Sequence, residues 1–133
     1  MNVRLLTVKD YETIAKWWRW WRWPVIPQSM LPDDGKGGYM IEKNNTPIVC
    51  GFVYLTNSKI AWLEWIVSNP DYREKDRKQA IEMLINHVED DCKSLGMTHV
   101  FSIGRSKSLL DIHEKLGWGV DRTSSYEIIK KIQ

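Results

Sequence analysis

Hydrophobic positions are densest over residues 60–67, where β-branched and aromatic side chains fall on both faces and Glu64 is the only charge. A run that is apolar on both faces reads as a strand covered on both sides, so this stretch predicts a central strand. Ser68, Asn69 and Pro70 end it: proline cannot continue a ladder, and serine or asparagine offers a side-chain cap to a following helix. From Ile81 the apolar residues Leu84, Ile85, Val88, Cys92 and Leu95 keep helical spacing along one buried stripe, and Gly96 supplies the stop. The pattern thus predicts a buried strand, a short polar turn and a long amphipathic helix.

The flanks are read the same way. Residues 1–8 predict a first strand, and Asp10 is a suitable N-cap for a helix that starts at Tyr11. Along that helix Tyr11, Ile14, Ala15, Trp18 and Trp21 share one face, which leaves Trp17 and Trp20 toward other sides with Lys16, Arg19 and Arg22 between them. Pro24 ends the helix, and Pro27 and Pro32 keep the chain extended or in turns until Gly35, Gly37 and Gly38. Residues 39–42, 48–55 and 60–67 predict an antiparallel meander with turns at Asn44-Asn45 and Asn57-Ser58. A strand over 98–103, a short helix over 107–116 stopped by Gly117, and a final strand over 125–132 complete the reading. The expected fold class is α/β (α+β): one domain over residues 1–133, with a mixed, mostly antiparallel twisted sheet and helices on both faces.

Composition narrows the function classes. A chain of 133 residues makes one domain, and a net charge of +2 gives no global steering toward nucleic acid. Cys50 on a predicted strand and Cys92 on the helix stripe read as buried thiols of a reducing compartment, not as a disulfide framework or a metal pair. No apolar run has the length of a membrane span, and the N-terminus lacks the apolar core of a signal peptide, so the expectation is a soluble cytoplasmic protein.

Three features carry candidate chemistry. The turn after the central strand aims backbone N–H groups at the strand's C-terminal end, and Arg73, Lys75, Arg77 and Lys78 crowd it. They form either a cradle for a phosphorylated cofactor or a solvated basic face partnered by Glu74, Asp76 and Glu82. The five tryptophans between Trp17 and Trp23, interleaved with arginine, either stack a flat ligand or nucleobase, or fill a core between the sheet and the segment 25–31. Glu64, inside an apolar strand, is either a carboxylate whose pKa is raised toward that of a general base or one satisfied by a salt bridge or by a solvated strand edge.

Val67-Ser-Asn-Pro-Asp-Tyr-Arg73, the helix to Gly96, the strand 98–103 and Ile112-His-Glu-Lys-Leu-Gly-Trp118 together resemble the GNAT acyltransferase superfamily, with matching order and spacing over nearly the whole chain. The resemblance implies acetyl-CoA bound in a groove beside the central strand at Ile66 and Val67, bordered by Trp62 and Trp65. It implies phosphates near Arg73, Lys75, Arg77 and Lys78, and acyl transfer to an amine of a small-molecule or protein acceptor. Ser106 stands where many members carry asparagine, and it also suits the N-cap of the short helix. Trp20, Trp21, Arg22 and Trp23 fall in the region that commonly forms the acceptor side. Glu64 lies on the strand where some members carry a base.

His113 occupies the position of the tyrosine that often protonates the departing thiolate, a role open to imidazole, and it also reads as a histidine near a helix C-terminus. The chain departs from the family pattern in the cofactor turn, where both glycines are absent and Asp76 adds bulk and negative charge unless turned away. Three function classes follow: an acyl-CoA-dependent N-acyltransferase, a GNAT-like nucleic-acid base modifier using the Trp/Arg stretch, and a non-catalytic GNAT-fold binding module.

Overall fold

A computed structural model describes residues 1–133. Five strands lie side by side in chain order: β1 (Asn2–Leu5), β2 (Gly38–Lys43), β3 (Thr46–Leu55), β4 (Ile60–Ser68) and β5 (His99–Ser102). β1 to β4 are antiparallel neighbours, and β5 joins β4 in parallel. The β2–β3 connection places Asn44 and Asn45 at φ 52° and 63°, the left-handed pair that a two-residue hairpin requires and that asparagine tolerates. Three helices complete the fold: α1 (Asp10–Trp20) between β1 and β2, α2 (Arg77–Ser94) between β4 and β5, and α3 (Lys107–Lys115) after β5.

Strand alternation divides the core in two. Ile41, Val49 and Leu63 face Ala80, Leu84, Ile85, Val88 and Cys92 of α2 and Ile112 of α3. Their neighbours Met40, Cys50, Phe52 and Val67 point to the opposite face and meet Ile14, Trp17 and Trp18 of α1. Helices therefore cover both faces, as the apolar character of β4 requires. Cys50 and Cys92 are free and buried in different halves of this core.

Several expectations change. Residues 125–132 form no strand: Tyr126, Ile128, Ile129 and Ile132 are exposed, and the segment's ion pair is that of Glu127 with Arg105. Period-two patterning makes a strand only where a ladder partner is presented, and β5 pairs with β4 alone. Leu95 is exposed because the helix ends at Ser94, and the residue that follows has left the stripe. Trp17 is buried with Trp18, since Ile26 and Leu31 fold over that side of α1. The segment after Pro24, by contrast, agrees with the expectation of extended chain or turns, with 3-10 turns at Gln28–Met30 and Pro32–Gly35.

Asp10 is the first residue of α1 and not its cap. Its carboxylate accepts from the Thr7 amide at 2.7 Å and from both terminal nitrogens of Arg4 at 2.8 Å, tying β1 to the helix. Asn69 does not cap α2 either: its Oδ1 accepts from the Asp71 amide and its Nδ2 donates to the Pro47 carbonyl, so α2 starts only at Arg77.

Candidate functional site

The sheet opens at β4. Its ladder with β3 runs to the Val49–Ser68 pair, whereas its ladder with β5 stops at Leu63–Ser102. From Glu64 to Ser68 one edge of the strand therefore has no strand partner, and its amides and carbonyls face a gap. On the β3 side the register slips: Phe52 pairs with Glu64 and Cys50 with Val67, which leaves Trp65 and Ile66 both opposite Gly51. This is a β-bulge with its first residue left-handed, Trp65 at φ 58°, and such bulges re-aim side chains and free a backbone group from the ladder. The strain is held in place by hydrogen bonds. Trp65 Nε1 donates to the Tyr54 hydroxyl at 2.9 Å, and that hydroxyl donates to the Met30 carbonyl at 2.9 Å.

The gap is a cavity of about 450 Å³. Glu64, Trp65, Ile66, Val67 and Ser68 form one wall, Ile103, Arg105 and Ser106 another, and Ile81, Leu109 and Ile112 an apolar floor. Arg77, at the first position of α2, also lines the cavity, as do Trp21 and Trp23 just beyond the end of α1. Trp21 Nε1 donates to the Ser68 carbonyl at 2.9 Å, so an indole sits on the free edge of β4. Ser106 has both roles read from sequence: it lines the cavity, and its side chain accepts from the Leu109 amide as the N-cap of α3.

Glu64 is the cavity's carboxylate. Burial lifts its pKa above the ordinary carboxylate value, and the nearby Arg105 charge works in the other direction. Asp76, whose charge was the objection to an anion at this turn, faces away. It accepts from the Tyr72 hydroxyl at 2.6 Å and from Lys43 Nζ at 2.8 Å, and Lys43 first and Tyr72 second hold its carboxyl below the usual range.

Of the residues expected at the site, Glu64, Ile66, Val67, Arg77, Ser106, Trp21 and Trp23 converge on this one cavity. Arg73 and Trp20 line a neighbouring cleft that shares Trp21 and Arg77 with it. Lys75 faces a third recess beside Lys43 and Tyr72, because residues 69–76 form a longer loop than a tight turn and spread their charges around it. Lys78 and Arg22 do not line the cavity; Arg22 turns out at φ 61° just after α1. Trp62 points elsewhere as well and packs edge-on against Phe101 at 4.9 Å.

His113 is likewise outside the cavity. It is 5% exposed, its Nδ1 lies 2.9 Å from the Leu109 carbonyl to which it donates, and its ring packs edge-on against Trp118. Burial lowers its pKa, so the imidazole is a neutral core group. The ring is turned to the Leu109 carbonyl and Trp118 within the core, which is the physical reason why it does not line the cavity. Arg105 was missed from the sequence. Its signal was its place just beyond the C-terminal end of a strand parallel to β4, where α/β sheets present ligand-facing residues.

No family model and no curated protein matches the chain by sequence. Solved structures do match. TTHA1254 from Thermus thermophilus, in its wild-type form, superposes with a TM-score of 0.67 at 12% identity, covering the whole of both chains. The ribosomal-protein-alanine N-acetyltransferase from Brucella melitensis biovar Abortus gives 0.64 at 15% identity, over 98% of this chain and 100% of that one. Rv2747 from Mycobacterium tuberculosis, solved in complex with CoA, gives 0.66 at 12% identity, over 95% of this chain and 76% of its own. The fold is that of the GNAT acetyltransferases, as the sequence motifs implied.

Proposed function

We propose that the chain is an acyl-CoA-dependent N-acyltransferase that transfers an acetyl group to an amine of a small-molecule or protein acceptor. The observation that carries this reading is the opened sheet: a strand edge free from Glu64 to Ser68, along a cavity whose lining includes the Glu64 carboxylate and the Arg77 guanidinium. The residues present fit a CoA. The free edge offers amide donors and carbonyl acceptors to an extended amide-bearing arm. Ile81, Leu109 and Ile112 supply the apolar floor such an arm needs. At the start of the 18-residue α2, the amides of Lys78 and Gln79 have no acceptor within the chain and, with Arg77, favour phosphate. With Asp76 turned toward Lys43, the turn without glycines presents no carboxylate from that position.

Bound there, the cofactor supplies an activated acyl group as a thioester. The chain's own part is to deliver a neutral amine and to stabilise developing charge. Glu64, its pKa raised by burial, accepts the proton of an incoming ammonium, while the nearby Arg105 charge favours the carboxylate form that does so. The backbone freed at the Trp65 bulge offers a donor for oxygen that gains charge. His113 has no proton-transfer role in this arrangement, so release of the thiolate relies on water or on the acceptor's own proton.

Titration with CoA, followed by tryptophan fluorescence, tests the reading, because Trp21, Trp23 and Trp65 all line the cavity. Saturable quenching is expected. Arg77→Gln should weaken CoA about tenfold, the worth of one charge-assisted contact to phosphate. Absence of any response at roughly millimolar CoA would remove the proposal.

A further inference from the structure

We infer that the acceptor is a free α-amino acid with an apolar side chain: Glu64 receives its ammonium, and Arg105 takes its carboxylate in place of Glu127 from the C-terminal segment. This inference rests on the acyltransferase reading and names the acceptor class for that same cavity. Glu64 and Arg105 both line the cavity, and the Arg105 charge acts on the Glu64 carboxyl, yet no ion pair joins them; Arg105 pairs with Glu127. Opposite charges that are close but not in contact leave room for a ligand that carries both signs. In an α-amino acid a single carbon separates ammonium from carboxylate, so it bridges the two, with its carboxylate forked by the guanidinium. A simple amine answers Glu64 alone and leaves Arg105 to Glu127.

Glu127 shows what Arg105 binds and how readily it is exchanged. It belongs to a segment whose Tyr126, Ile128 and Ile129 are exposed and whose one ion pair is this contact. The two side chains are 58% and 61% exposed, and an exposed pair of that kind contributes little. A ligand carboxylate that gains a second anchor at Glu64 therefore displaces it. The rest of the lining selects the side chain. Trp21 and Trp65 commit their Nε1 donors to the Ser68 carbonyl and the Tyr54 hydroxyl, so neither offers a donor to a polar group. With Trp23 and Ile103 they suit an aromatic or branched apolar side chain.

The transfer balances with these groups. Glu64 takes one proton from the ammonium, and the freed amine forms its N–C bond to the acyl carbon as the C–S bond breaks. The second proton passes through water to the departing sulfur, and the carboxylate on Arg105 is unchanged.

The test uses the full chain with acetyl-CoA and three amino acids, tryptophan, phenylalanine and leucine, each beside the amine it gives on loss of its carboxylate. Product is followed by mass spectrometry, and CoA binding is measured separately. Wild type should prefer the amino acid by about tenfold or more in kcat/KM, and Arg105→Gln should bring the ratio to within about twofold of one. The ratio cancels any influence of Arg105 on Glu64, because both members of a pair meet the same carboxyl. Arg105→Lys, with a point charge for the fork, should keep part of the preference. Glu127→Gln removes the competing carboxylate and should lower KM for the amino acid about threefold, with KM for the amine unmoved. With CoA bound, a wild-type ratio near one, a preference that survives in Arg105→Gln, an unchanged KM in Glu127→Gln, or no acetylation of any of the three amino acids at roughly 10 mM overturns the inference and leaves the acyltransferase reading standing. Failure of CoA itself to bind removes both.

Discussion

Glu64→Gln is expected to lower acyl transfer by about a hundredfold or more while leaving CoA affinity unchanged, because the substitution keeps the shape of the cavity wall and removes the proton acceptor. Burial has already raised the pKa of this carboxyl, so the limb of the rate profile that reports its ionisation should lie above the ordinary carboxylate range and should vanish in the variant. Stability should move the opposite way. An acid with a folded pKa above its unfolded one binds protons more tightly in the native state. Its contribution to stability is full below the unfolded pKa and is lost as pH rises through the folded value. Glu64→Gln should therefore melt above wild type at about pH 8, with the difference closing toward about pH 4. Unchanged turnover of an identified amine acceptor would remove Glu64 from the chemistry. A melting temperature that falls at the higher pH would instead make it a structural ion-pair partner.

The parts of the site that were legible in the sequence are those set by local pattern. Ile60–Ser68 announces itself as a strand covered on both faces, and such a strand followed by a helix creates a ligand-facing end, so Glu64 and Arg77 could be read from the pattern as candidates, while Ile66 and Val67 came from what the resemblance implied. The bulge could not. Trp65 adopts a left-handed conformation that its residue type disfavours, and only its tertiary ties to Tyr54 and Met30 explain it. His113 was placed by motif alignment, but whether a side chain reaches a cavity depends on its length and on the rotation of its helix, neither of which a motif carries. Lys75 and Arg73 are two residues apart and yet face different recesses, because the loop from 69 to 76 is irregular and has no period from which to read direction. The tail misled for a related reason: alternation in Ser125-Tyr-Glu-Ile-Ile-Lys-Lys-Ile132 states what a strand would present, not whether β5 accepts one.

Trp18→Ala should be the most damaging single change to stability, with a loss of about 3–5 kcal/mol in urea unfolding. Trp18 is fully buried, packs on Phe52 at a ring separation of 6.1 Å and meets Tyr11 edge-on at 6.4 Å, so truncation leaves a large cavity that helix and sheet cannot both collapse into. A domain of this size has about 5–15 kcal/mol in total, which makes that loss a large share of the whole. The contrast with Trp20 is the informative one, because the two residues stand two positions apart on α1 and only one of them is core. Trp20→Ala should stay within about 0.5 kcal/mol of wild type.

The damage at Trp18 should also reach the site. Phe52 is the register partner of Glu64 and adjoins Gly51, which faces the bulge, so a loosened Phe52 releases the strand geometry that aims Glu64 and Trp65 into the cavity. CoA affinity in folded Trp18→Ala, measured well below its unfolding midpoint, should therefore fall together with stability. Wild-type affinity in that variant would show that the bulge is held by Tyr54 and Met30 alone, independently of the α1 side of the core.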